Sequence, residues 1–113
     1  MNSEEVMTTF DKREQAFEAQ FAHDEEMKFK AMARRNYFLG VWAAEKLGLA
    51  GAEAEAYARG LVVSEVEKTS DEEMIGKIKA DLAAKGIKLS DHRIQRAMDE
   101  LMGRAMSEIK ARG

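Results

Sequence analysis

The chain has 113 residues, 45% hydrophobic and 35% charged, with a formal net charge of −3 and neither cysteine nor proline. That length fits one modest core, and without cysteine there is neither a disulfide framework nor a thiolate metal site. The 18 basic and 21 acidic residues interleave along the chain, so the basic surplus that phosphate-backbone binding requires is missing and nucleic acid is not an expected partner.

The first nine residues carry no periodic apolar pattern and read as unstructured. From Phe10 the pattern changes: Phe10, Phe17 and Phe21 recur at helical spacing among polar neighbours, which places the three rings on one face. Thr8 and Asp11 have capping-box spacing, yet an isolated segment of about 12 to 15 residues is a marginal helix in water. Residues 10–21 are therefore expected to be weakly helical when free. Two readings stay open for the rings: they fold back onto the body of the protein, or they fill pockets on a partner, with Lys12, Arg13 and Glu14 at the rim.

The charged block after Ala22 contains the acid-before-base pairs Asp24 with Lys28 and Glu26 with Lys30, which support a helix. A first helix is predicted over residues 22–47, with Met32, Phe38, Leu39, Trp42, Ala43 and Leu47 as its apolar stripe and Gly48 and Gly51 at its end. A second, over residues 52–67, shows Ala54, Ala58, Leu61, Val62 and Val66 on one face, and its alanines predict close helix packing. Ser70 with Glu73 forms a full capping box that opens a third helix, whose face is Met74, Ile75, Ile78 and Leu82 and whose stop is Gly86. Ser90 caps the fourth, striped by Ile94, Met98, Leu101, Met102, Ala105 and Ile109. Four such stripes joined by short connections predict an all-α fold, a four-helix bundle preceded by a mobile, largely disordered N-terminal arm. The division is residues 1–21 for the arm and 22–113 for the bundle.

Chemistry is sparse. His23 and His92 lack the paired spacing of a zinc helix, and His23 with Glu26 offers at most one weak metal contact, so no metal or other cofactor is expected. The chain reads as a non-enzyme. Arg34 and Arg35 together suggest a weak regulatory contact to a nucleotide phosphate, against the plainer reading that they snorkel or pair with carboxylates. The eight methionines fit core packing better than a promiscuous groove. The longest apolar run, residues 37–44, falls short of the roughly 20 residues that cross a bilayer. The acidic start is no secretory signal, and a cytoplasmic protein without membrane insertion is expected.

Four strings carry a resemblance: MTTFDKREQAFEAQFAHDEEMKF from Met7, KAMARRN ending at Asn36, LGVWAAEKLG from Leu39 and ADLAAKG from Ala80. Together they resemble the zeta subunit of alphaproteobacterial F-type ATP synthases, over almost the whole chain from Met7 to about Ala105. Residues 1–6 lie upstream of where that family's sequence starts, and Tyr37 and Phe38 are bulkier than expected after the ARRN string. The resemblance implies an ATPase inhibitor held peripheral to the inner membrane through the ATP synthase complex. Its arm inserts at the catalytic alpha/beta interface of the F1 sector near the gamma subunit, becomes helical there and blocks ATP hydrolysis. Carried onto this chain, the partner contacts are Phe10, Lys12, Arg13, Phe17 and Phe21. The alternative is a small helical nucleotide-sensing or ligand-binding regulatory protein, with Arg34 and Arg35 as the contacts.

Overall fold

A computed structural model describes residues 25–66 and 69–112, apart from the side chains of Glu65, Val66 and Arg112. Every regular element among them is a helix: α1 spans Glu25–Leu47, α2 Gly51–Val66, α3 Asp71–Ala84 and α4 Asp91–Arg112. The all-α, four-helix architecture is the one the periodicity predicts. The predicted arm, residues 1–21, lies outside the described residues.

Local chemistry sets the helix ends. Ser70 caps α3 with its hydroxyl, which accepts from the Glu73 amide at 3.1 Å, while the Glu73 carboxylate accepts from the Ser70 amide at 3.2 Å. Ser90 does the same for α4, accepting from the Arg93 amide at 3.1 Å. At the other end of α3, Gly86 takes φ +76. Its amide donates to the Ala83 carbonyl at 2.9 Å and the Ile87 amide reaches back to Leu82 at 2.9 Å. That paired closure satisfies carbonyls that would otherwise be orphaned. Gly48, at φ +78, closes α1 in the same way, with the Leu49 amide on the Ala44 carbonyl at 2.9 Å.

α1 is the spine, packing along both α2 and α4. Against α2 the approach is as close as backbones allow, because a Cβ added to Gly40 would lie 2.4 Å from the Ala58 Cα. The main core joins Leu39 and Ala43 of α1, Leu61 of α2, Met74, Ile78 and Leu82 of α3 and Ile94 and Met98 of α4. A smaller cluster, Ala31 with Met106 and Ile109, joins the N-terminal half of α1 to the C-terminal end of α4. The predicted α3 face is buried as read. On α1 the burial extends past the predicted stripe to Arg35 and Asn36, which are 4% and 0% exposed, while Met32 and Trp42 are only partly buried. The Lys46 ammonium lies 4.9 Å and the Arg93 guanidinium 5.9 Å from the centre of the Trp42 ring, within cation–π range of its partly exposed surface.

Candidate functional site

The N-terminal half of α1 holds every described residue that the sequence singled out for binding. Of the predicted partner contacts, Phe10, Lys12, Arg13, Phe17 and Phe21 lie outside the described residues, as does His23. Arg34 and Arg35 are described, and adjacent helical positions turn them in different directions. Arg35 points inward and forks onto Asp71, the first residue of α3, with its two terminal nitrogens 3.0 and 3.3 Å from the carboxylate oxygens. Its Nε donates to the Asn36 side-chain oxygen at 3.0 Å. Of the two pairings open to it, phosphate or carboxylate, Arg35 is engaged with the carboxylate, and this bidentate contact ties α1 to the start of α3. Arg34 stays half exposed, 3.9 Å from Glu108 of α4.

Beside Arg34 an open groove of about 680 Å³ runs along α1. Its floor is Met27, Lys30, Arg34 and Tyr37, and its walls are Val62 near the end of α2 and Ile109 near the end of α4. Phe29 and Ala33 complete the lining, and Phe29 is 45% exposed, an uncommon state for a phenylalanine. The polar groups at its edges are held in place. Lys30 pairs with Glu26 at 3.2 Å across one helical turn. The Tyr37 hydroxyl donates to Glu55 of α2 at 2.7 Å, and Arg59 donates to the other oxygen of that carboxylate at 3.0 Å. The bond to Glu55 exists only for the neutral phenol, so it raises the Tyr37 pKa, and the same bond, with that from Arg59, lowers Glu55.

A second polar link joins α2 to α3. The Tyr57 hydroxyl donates to Asp81 at 2.8 Å, the Lys77 ammonium donates to the same carboxylate oxygen at 2.7 Å, and Lys77 sits 4.9 Å from the centre of the Tyr57 ring. Burial, then the bond to Asp81, pushes the Tyr57 phenol up. Burial would raise Asp81 as well, but the bonds from Lys77 and Tyr57 outweigh it and hold the carboxyl below its usual range.

The groove was not anticipated from sequence, because its floor and two walls come from lining residues of three helices that stand far apart in the chain. Its signal was present but faint: Phe29 falls off the apolar stripe of α1, as Tyr37 does. Neither is needed to complete the core.

No curated protein matches the chain. The family described as ATPase inhibitor subunit zeta matches residues 7–108. That match takes in the aromatic segment as well as most of the bundle, and begins at the methionine from which the sequence resemblance also runs. The chain belongs to the family of ATPase inhibitor zeta subunits.

Proposed function

We propose that this chain restrains ATP hydrolysis by the F1 sector of an ATP synthase, with residues 1–21 as the inhibitory arm and residues 22–113 as the body that positions it. The observation that carries this reading is the family match over residues 7–108, which spans the aromatic segment and most of the bundle. The arm enters the catalytic alpha/beta interface near gamma, where Phe10, Phe17 and Phe21 fill apolar pockets and Lys12 and Arg13 meet carboxylates at the rim. Desolvated aromatic anchors supply most of the binding energy at such a contact, while rim charges set register and encounter rate. Folding of the arm on its partner subtracts an ordering cost from that energy. The protein acts by occupying a site, without chemistry of its own, and resides in the cytoplasm on the face of the inner membrane that carries the complex.

The test is ATP hydrolysis by the cognate F1 enzyme, titrated with the full chain and with a chain lacking residues 1–21, whose helix content is checked by circular dichroism. Inhibition by the full chain alone is expected. Equal inhibition by both would move the active surface to the bundle, and inhibition by neither would favour a ligand-sensing role.

A further inference from the structure

The groove on α1 follows the helix for about three turns and is open to solvent. Three helices surround it, its lining is mainly apolar, and from Met27 to Tyr37 its floor runs about 15 Å at the helical rise. The segment from Phe10 to Phe21, wound as a helix, is about 17 Å long. Glu25 of α1 stands two residues before Met27 of the groove, so the chain that precedes it joins the body at this end of the groove. Three residues, 22–24, separate the Phe10 to Phe21 segment in sequence from Glu25, within the 2–5 residues that join antiparallel helices in a hairpin. We infer that in the free protein residues 10–21 dock in this groove as a helix antiparallel to α1, with the three phenylalanines facing Val62, Ile109 and the floor.

Charge agrees with that occupant. The floor cations Lys30 and Arg34 are four residues apart, and so are Glu14 and Glu18, which on a helix run along one edge of the phenylalanine stripe with Asp11. Lys30 and Arg34 already have partners in Glu26 and Glu108, but Lys30 is half exposed and the Arg34 contact is long, so both retain hydrogen-bonding capacity for an acidic edge. A short tether supplies an effective concentration of about 1 mM, so an intrinsic affinity of only about 0.1 mM gives roughly tenfold more docked than free arm. Docking then weakens apparent binding to any competitor for the same face by about tenfold. The groove thereby keeps the adhesive face of the arm covered until a better site offers itself. This rests on the arm being the inhibitory element proposed above, and its test separates the two.

Because the chain has no cysteine, Gln15→Cys accepts a single nitroxide label on the side of the segment away from the phenylalanines. In the isotope-labelled full-length protein, the nitroxide is expected to broaden the amide signals of Val62 and Ile109, leaving Ile87, at the opposite end of the main core, sharp. Phe29→Asp and Lys30→Glu alter half-exposed side chains, and each should reduce that broadening and lower the concentration for half inhibition of F1, by up to about tenfold. Broadening confined to residues 25–28, or unchanged in both variants, would overturn the docking. So would equal broadening in a mixture of labelled protein with a spin-labelled but isotopically silent copy, which would assign the contact to a second molecule. Docking without any inhibition by the wild type would leave this inference standing and defeat the inhibitory role, and inhibition without docking would do the reverse.

Discussion

At the residue scale, two glycines in neighbouring helices are expected to respond to the same substitution with opposite sign. An interior Gly→Ala gains about 1 kcal/mol of helix propensity. At Gly60 nothing lies within 4 Å of the added methyl, so Gly60→Ala should realise most of that gain. At Gly40 the methyl would sit 2.4 Å from the Ala58 Cα, a backbone atom that cannot rotate away. Gly40→Ala should then cost about 1–3 kcal/mol net, as overpacking does, with each kcal/mol shifting Tm by about 4–8 °C in a domain this size. Thermal melts of the two variants check the sign. Arg35 poses a different problem, since its guanidinium is buried and the Asp71 side chain is 45% exposed. Asp71→Ala would leave a buried cation without its anion. The loss should be about 1–3 kcal/mol, below that of a fully buried pair because water reaches the vacated side. The double variant Arg35→Met with Asp71→Ala removes the stranded charge, and in urea unfolding it should be more stable than Asp71→Ala alone. If the double variant is the less stable of the two, Arg35 contributes chiefly through its packing.

At the scale of elements, the α2–α3 link makes stability depend on pH in a definite direction. Asp81 is depressed below its ordinary 3.8, so the unfolded chain binds its proton first. Its contribution is present above about pH 4 and is lost as pH falls through the lower, folded value. Tyr57 is raised above its ordinary 10.0, so its contribution is present below about pH 10 and disappears as pH rises through the folded value. Asp81→Asn should therefore lower stability at pH 7, and the difference from the wild type should shrink as pH falls below about 4. The Tyr57 phenolate band should appear in the ultraviolet only at higher pH than that of a free tyrosine. Coincidence of the wild-type and Asp81→Asn stability curves at all pH values would show that the link carries no net energy. None of this could be read along the chain, because Tyr57 and Asp81 stand 24 residues apart and Arg35 and Asp71 stand 36 apart. The caps at Ser70 and Ser90 and the stops at Gly48 and Gly86 were legible because each is complete within a few residues. Gly40 lies between these cases: it sits within an apolar run of a helix, and only the crossing with Ala58 gives it a purpose. The alanines of α2 had hinted at that crossing.

At the scale of the whole molecule, the proposed division into arm and body sets different magnitudes for similar side chains. The aromatic face of residues 10–21 is a reading of local helical periodicity, whereas the groove proposed to receive it is assembled only when α1, α2 and α4 come together. A phenylalanine in a packed core costs about 3–5 kcal/mol when truncated. A ring on a segment that docks tenfold over free can cost no more than about 1.4 kcal/mol, since that is all the docking equilibrium holds. Phe17→Asp should accordingly leave the helix content of the body unchanged and lower its Tm by no more than about 6–11 °C, while weakening inhibition of F1 by about threefold or more, since losing a buried aromatic anchor of about 2 kcal/mol costs about 30-fold and undocking returns up to about tenfold. Calorimetry and hydrolysis assays on the same preparation decide the matter. A loss of several kcal/mol in stability would place Phe17 in the permanent core and end the division into arm and body. Unaltered inhibition would take Phe17 out of the contact with F1. The combination of intact body and lost inhibition is what a segment built to exchange one apolar site for another requires, because its rings must hold weakly at home and strongly on the partner.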